Sequence, residues 1–284
     1  LNNKVQYVYK TITDDDVYKN GSGNDETSVV ETRLPVNVVY QMKQPNGIAN
    51  EVNISQYEYT GLKLHKSGRG FLGFEKVKVD NTYGYDTETE YKVHPIFFNV
   101  IPTKTTTSLN GTNLSEVNYP YPYGVCTQSL DGGKRYRTYV KTKEEKDLLN
   151  TITITTTVNR IDDYGNIEEQ IVDYNGEGTT KIENTYLKVN GWCKSELDES
   201  TTTKTRNGET YIRKINNNYA NGHLSETIAD AGDVLTTTTS YSDYNAVGLP
   251  ETLEVTGSGK TKTTHLEYDL NKRFVKTKTF KGPD

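Results

Sequence analysis

Four histidines, His65, His94, His223 and His265, supply every imidazole in the 284-residue chain, so a serine or cysteine nucleophile would have to find its base among them. None stands beside a nucleophile elbow, and no His-Glu-x-x-His helix is present to hold zinc. His223 and His265 fall in or near the turns of a repeat and read as exposed loop or strand positions. Gly257-Ser258-Gly259-Lys260-Thr261 has the ending of a phosphate-binding loop, but Glu254 occupies the place of the loop's first glycine, so the run reads as a hairpin turn. Glycoside hydrolysis needs two carboxylates at a fixed separation. Asp162, Asp163, Glu168 and Glu169 crowd around one turn instead and read as a solvated edge. The acidic run Asp14 to Thr27 lacks the alternating ligands, central glycine and distal glutamate of a calcium loop, and reads as a mobile hairpin loop. Cys126 and Cys193 are too few and too distant for zinc; they read as two buried free thiols, with one disulfide in an oxidising compartment as the alternative. These residues point to no catalytic centre, no metal and no cofactor.

Aromatic side chains are the other chemistry on offer. Tyr119-Pro120-Tyr121-Pro122-Tyr123-Gly124 is their densest cluster. It reads as an extended connector over a sheet, because two prolines cannot donate to a ladder. The functional alternative makes Tyr119, Tyr121 and Tyr123, with Trp192, a platform for a sugar or a partner peptide. Asn53, Asn110 and Asn113 open glycosylation triplets that arise readily by chance in a chain of this composition.

The elements that would carry these residues are strands. Apolar residues recur at every second position in Val36 to Tyr40, Lys76 to Asp80, Thr151 to Thr155, Lys181 to Tyr186 and Leu235 to Tyr241, the period of a sheet with one buried face. Pro45-Asn46-Gly47, Asn110-Gly111, Asp131-Gly132-Gly133, Tyr164-Gly165-Asn166, Asn207-Gly208 and Asn221-Gly222 suit tight hairpins with positive φ. Only Lys141 to Asn150 reads as helix. In the second half a tyrosine, a polar turn, an apolar residue and a polar strand recur from Tyr164, Tyr186, Tyr219, Tyr244 and Tyr268, which predicts an array of stacked hairpins.

Composition agrees with a thin architecture. Only 32% of residues are hydrophobic, against roughly 45–50% in an ordinary globular domain. Yet the chain holds 22 tyrosines and 41 threonines, both suited to a half-buried pleated surface and scarce in disordered chains. A net charge of −5 gives no footprint for nucleic acid, and no stretch approaches the roughly 18 apolar residues of a membrane-spanning helix. Opening on Leu1 with no signal peptide, the chain reads as a mature or trimmed piece of something longer.

Two stretches carry a family resemblance. The tyrosine repeat, with Tyr268-Asp269 as its fullest copy, resembles the YD repeats of Rhs proteins, teneurins and the C components of bacterial toxin complexes. Gln56 to Val79 is similar to a segment of toxin-complex B components and Rhs-type surface proteins, through Tyr57-Glu58-Tyr59, the run Arg69-Gly70-Phe71-Leu72-Gly73-Phe74 and the alternating strand after it. The resemblance implies an all-β, extended antiparallel hairpin strip that spirals into a closed or partly open shell around a variable C-terminal polypeptide. In the Arg-Gly-Phe run, Gly70 and Gly73 are expected to bend the strand while Phe71 and Phe74 pack; an aromatic–arginine ligand pocket is the alternative. Rings recurring once per hairpin are expected to stack and set the register. The family's aspartate-dependent self-cleaving segment is not found in the chain, which runs out at Phe280-Lys281-Gly282-Pro283-Asp284. The expected organisation is a β region over 1–150 and degenerate repeats over 151–284, continuous with it. The expected role is a non-enzymatic, secreted or cell-surface bacterial scaffold that encloses a polypeptide or mediates surface contacts. An adhesin or carbohydrate-binding module is the alternative, with a surface glycan or protein as partner.

Overall fold

The structure, a computed structural model, describes residues 4–23, 28–47, 51–121, 124–133, 135–187 and 195–282. It is all-β: among the described residues the one helical element is a 3-10 turn at Asp131–Gly133. The chain divides into two compact units, Leu1–Ser129 with Gly133–Thr157, and Leu130–Gly132 with Val158–Asp284.

The first unit is built from β1 (Gln6–Thr11), β2 (Tyr18–Lys19), β3 (Val29–Glu31), β4 (Asn37–Pro45), β5 (Val52–His65), β6 (Gly70–Asn81), β7 (Tyr85–Val93), β8 (Val100–Leu109), β9 (Thr112–Asn118), β10 (Val125–Leu130), β11 (Arg135–Val140), β12 (Thr142–Asp147) and β13 (Ile152–Ile161). Its antiparallel ladder runs β1-β4-β5-β6-β7-β8-β9-β12-β13. Along β5, β3 pairs antiparallel and β2 parallel, while β10 and β11 form a separate pair. β13 carries the chain into the second unit, an antiparallel meander of β14 (Ile167–Tyr174), β15 (Gly178–Tyr186), β16 (Leu197–Arg206), β17 (Glu209–Ala220), β18 (His223–Ala229), β19 (Thr237–Tyr244), β20 (Pro250–Gly257), β21 (Lys260–Tyr268) and β22 (Val275–Lys281).

The anticipated hairpins form at Asn110-Gly111, Asn207-Gly208, Asn221-Gly222 and Ser258-Gly259, each with two successive positive φ values, the backbone of a type I′ turn. Asn175-Gly176 makes the same turn. Threonine serves as the sheet's cross-strand glue: the hydroxyls of Thr89 and Thr105 meet at 3.1 Å, and those of Thr256 and Thr261 at 2.9 Å.

Two sequence readings give way. Lys141 to Asn150 is not helical; β12 lies between β9 and β13 and completes a ladder on both of its edges. Helix propensities differ by only tenths of a kcal/mol per residue, which two rows of backbone hydrogen bonds override. Its charges then pair at strand spacing, Lys146 lying 3.6 Å from Glu144 and 3.7 Å from Glu116 on β9. Nor is Asp14 to Gly23 a loose loop. Val17 and Tyr18 join Ile12 and Leu62 in a buried cluster, with Val38, Tyr40, Tyr59 and Phe74 packed against it. The acidic residues are engaged as ions: Lys10 lies 3.0 Å from Asp14 and 2.8 Å from Asp16, and Arg33 2.5 Å from Asp15. Asn24 to Thr27, the rest of that run, lies outside the described residues.

Candidate functional site

The repeat tyrosines of the second unit are joined by one recurring hydrogen bond. Tyr186 donates its hydroxyl to the Ile167 carbonyl at 3.1 Å, Tyr219 to Leu197 at 3.1 Å, and Tyr268 to Pro250 at 2.8 Å. Tyr244 donates in the same way to Leu224. The acceptors follow a rule. Leu197 is the residue paired with Tyr186, Leu224 with Tyr219, and Pro250 with Tyr244. The hydroxyls of Tyr219, Tyr244 and Tyr268 therefore each grip the position opposite the previous tyrosine, and these hairpins are linked by hydroxyl and carbonyl.

Local sequence builds each grip. β-Bulges lie immediately before Tyr186, Tyr219 and Tyr268, where the partner strand carries one extra residue. A bulge re-aims the side chains that follow it. At Tyr219 the extra residue is Ser225, whose hydroxyl donates to the Asn218 carbonyl at 3.0 Å. Asparagines two places before the tyrosine add a second donor to the shared carbonyl: Asn184 to Ile167 at 3.0 Å and Asn217 to Leu197 at 2.9 Å. Burial pushes all four phenols above the ordinary tyrosine range.

Three turns that follow these strand ends share a side-chain cap. Asp162 accepts from the amides of Tyr164 and Asn166 at 2.8 Å each, Asn245 from Val247 at 3.0 Å and Leu249 at 3.1 Å, and Asp269 from Arg273 at 2.8 Å and Phe274 at 3.1 Å. Asp162 is thus the counterpart of Asn245 and Asp269, and Ile161 stands where Tyr244 and Tyr268 stand. The sequence register that began a repeat at Tyr164 is three positions late: Tyr164 belongs to the turn. Hydrogen bonds from backbone amides hold the Asp269 carboxyl below the usual carboxylate range.

The first unit uses the same grip at Tyr59. Tyr59 on β5 donates to the Val39 carbonyl at 3.0 Å, and Val39 is paired with Tyr9 just past a bulge at which β4 carries one extra residue, Tyr40. Burial pushes the Tyr59 phenol up to about 12. The Arg-Gly-Phe run lies on the hairpin of β5 and β6. Arg69 donates to the Phe97 carbonyl at 2.5 Å and stands 5.3 Å from the Phe98 ring, tying the hairpin to the loop after β7. Phe74 packs at 4.6 Å from the Tyr59 ring. Phe71 does not pack; it is 52% exposed. Gly73, at φ 146°, lets β6 approach Val100, whose methyl a side chain would meet at 3.0 Å.

Behind this hairpin lies a buried ionic cluster that sequence reading did not anticipate. Lys63, 1% exposed, stands 3.2 Å from Glu75 and 3.6 Å from Glu31. The loop Gly21-Ser22-Gly23 closes over it, with Gly21 and Gly23 amides donating to Glu31 at 2.7 and 2.8 Å and the Ser22 amide and hydroxyl to Glu75, each at 2.9 Å. Burial raises the Glu75 carboxyl, but the Ser22 hydrogen bonds and the Lys63 ammonium outweigh it and hold it below the usual range. A Cβ on Gly21 would lie 2.8 Å from Gly61 Cα, so only glycine lets the loop sit this close.

The histidines serve packing. His65 is buried against the Phe98 ring at 4.4 Å, His94 meets Phe97 at 5.0 Å, His223 stacks on Tyr244 at 4.5 Å, and His265 lies 3.1 Å from the Thr252 hydroxyl. His223 and His265 are half-buried strand residues, not exposed ones. Among the described residues no three His, Cys, Asp or Glu side chains converge as a metal site. Cys126 is half-buried, whereas Cys193 lies outside the described residues. Of the aromatic platform, Tyr119 is half-buried and Tyr121 is 44% exposed with the Lys92 ammonium 4.8 Å from its ring. The Gly124 amide reaches back to the Pro120 carbonyl at 2.5 Å, and Pro122 lies outside the described residues. Tyr123 and Trp192 lie outside the described residues.

Residues 3–105 match the family described as the middle/N-terminal region of the insecticide toxin TcdB. No curated protein matches the chain. Solved structures that share its fold include the Tc holotoxin pore of Photorhabdus luminescens, at TM-score 0.58 and 8% identity over 87% of this chain, and TcdB2-TccC3 without its hypervariable C-terminal region, at TM-score 0.58 and 8% identity over 86%. The chain spans 20% of the length of each. The similarity to toxin-complex components that Gln56 to Val79 and the tyrosine repeat imply is met by a likeness of fold over most of the chain and by the family match over residues 3–105, which include Gln56 to Val79.

Proposed function

We propose that this chain is a length of wall in a secreted, toxin-complex-like shell, a non-enzymatic scaffold whose task is to enclose a polypeptide. The tyrosine–carbonyl grip carries the reading. The same contact recurs from hairpin to hairpin and holds neighbours in register, and among the described residues it gathers no nucleophile, base or metal donors. A thin sheet with few fully buried side chains is suited to a partition, since both of its faces remain available to what lies on either side. The likeness to TcdB2-TccC3 supports the choice of an enclosed polypeptide over a surface-contact role.

The test is protease protection. The native reading frame that contains this chain is expressed with its neighbouring genes, the secreted particle is purified, and trypsin is added to it. Enclosure predicts a co-purifying polypeptide that resists cleavage in the intact particle and is digested once the particle is opened with denaturant. A co-purifying polypeptide cleaved equally fast before and after opening, or none at all, overturns the proposal.

A further inference from the structure

Four turns of the chain are closed alike, and one of them is closed by an imidazole. In each, the residue that follows a strand donates its amide to a carbonyl beyond the turn: Asp162 to Asn166 at 2.9 Å, Asn245 to Leu249 at 2.9 Å, Asp269 to Phe274 at 2.8 Å and His94 to Asn99 at 2.9 Å. The side chain of that residue then accepts amides from the turn itself. Asp162 and Asn245 each take the amide two places on; His94 Nδ1 takes the Ile96 amide at 3.2 Å and the Phe97 amide at 3.3 Å. The side-chain oxygen of an asparagine keeps its lone pairs at any ordinary pH. Nδ1 keeps its own only while the imidazole is neutral and carries its proton on Nε2.

The turn that His94 closes is also the one held under load. Phe98 has a φ of 56°, in the left-handed region that costs a bulky residue. The closed turn buries two polar atoms with no hydrogen-bond partner among the described residues, Asn99 Oδ1 and His65 Nδ1, with the His65 ring 4.4 Å from that of Phe98. Two hydrogen bonds to one ring nitrogen hold the segment against these costs. The same segment is a tie. The Phe97 ring lies 4.9 Å from that of Tyr136 on β11, and the Asn99 side-chain amide donates to the Thr138 hydroxyl at 2.9 Å, so the separate β10–β11 pair is fastened to the main ladder at this turn.

We propose that His94 is an acid-sensitive latch: protonation of Nδ1 opens the turn from His94 to Asn99 and frees the β10–β11 hairpin from it. The proton occupies the lone pair that received both amides, and an N–H then faces two N–H groups. The charged and titratable groups around the turn offer the imidazolium no counter-ion. His65, Lys66 and Arg69 come from the β5–β6 hairpin, Arg69 donating to the Phe97 carbonyl at 2.5 Å. Lys92, two residues before His94, has its ammonium 4.8 Å from the Tyr121 ring, and Tyr136 stands between Arg135 and Arg137 on β11. Among the described residues no carboxylate pairs with His94 or His65. Opening relieves Phe98 and lets water reach His65 and Asn99. The inference rests on this turn alone and holds whether or not the wall encloses a polypeptide.

The test is hydrogen exchange of the full chain at about pH 8 and about pH 5, the span across which histidine changes charge, with labelling times scaled to the intrinsic rates. Residues 94–99 and 135–140 are expected to lose protection at the lower pH, by about fivefold or more at the Ile96 and Phe97 amides, the worth of one neutral hydrogen bond. The turn closed by Asn245 is expected to keep its protection. His94→Asn supplies a non-titrating acceptor and is expected to stay closed at both pH values, whereas His94→Ala is expected to be open at both. Nitrogen-15 spectra of the imidazole are expected to show Nδ1 gaining its proton over the same span as the exchange changes. Equal protection of the parent at the two pH values, an acid response that survives in His94→Asn, or an equal loss at the Asn245 turn would each overturn the proposal. Should the variants fail to fold, the comparison of the two turns in the parent, with the imidazole spectra, decides the matter.

Discussion

Tyr219 donates its hydroxyl at 3.1 Å to the carbonyl of Leu197, which is itself the residue paired with Tyr186. The same carbonyl takes the side-chain amide of Asn217 at 2.9 Å. One backbone atom thus receives two side-chain donors from the strand next to it and fixes that strand's register.

Because the donors share an acceptor, removing either leaves the carbonyl with a partner. Tyr219→Phe is expected to cost about 1 kcal/mol or less, and the double variant with Asn217→Ala more than the sum of the singles, with a coupling of at least about 0.5 kcal/mol. Urea denaturation of the four proteins in the cycle measures it. Strict additivity would mean that the two donors do not substitute for one another.

The turn caps give a second expectation. Asp162→Ala removes the acceptor for the Tyr164 and Asn166 amides and is expected to cost about 1 kcal/mol, as is Asn245→Ala at the equivalent turn. Asp162→Asn keeps the geometry and is expected to be close to neutral. Hydrogen exchange at those amides reports the loss locally, and unchanged exchange in Asp162→Ala would refute the equivalence of the turns.

Alkaline pH should undo the grips. Tyr59 is raised from 10.0 to about 12, and the four repeat phenols are raised too, by burial first in every case. A group whose folded value is raised binds its proton more tightly when folded. The stabilisation from Tyr59 is therefore complete below about pH 10 and is lost as the pH climbs toward about 12, and that from the repeat phenols is likewise present below their ordinary range and lost above it. Tyrosinate absorbance and far-ultraviolet circular dichroism should change together in that window. Full ionisation with an unaltered β spectrum would separate the phenols from the fold.

Lys63→Met leaves the carboxylates of Glu31 and Glu75 close together without the ammonium between them, and a loss of about 3 kcal/mol is expected. Glu75 is held below 4.5 in the native protein, so its contribution is present above that pH and lost as the pH falls through the lowered value. The gap between Lys63→Met and the parent should accordingly narrow in acid, where the carboxylates take up protons. A gap that stays constant from neutral pH to pH 4 would assign the loss to packing.

Strand periodicity, the Asn-Gly turns and the tyrosine spacing were legible because each depends on residues close together in sequence. The misplacement of one repeat by three positions has a definite cause. Tyr164 supplies the right ring, but what defines the place is the cap at Asp162, and Ile161 fills the tyrosine's position without a hydroxyl. The hydroxyl acceptors were not legible, since a backbone carbonyl leaves no mark in the residue that carries it. Val17 and Tyr18 were hidden by the acidic run before them, whose charges are answered by Lys10 and Arg33. Lys63, Glu31 and Glu75 come from three separate strands or strand ends, and no spacing announces a buried ion cluster assembled that way.

Every acceptor in the tyrosine series lies 18 to 22 residues behind its donor and never ahead of it. A chain emerging amino-terminus first can therefore fasten each hairpin as soon as it appears, onto one that is already in place. Assembly has a direction written into it, and at no stage does a completed link in this meander have to reopen to admit the next.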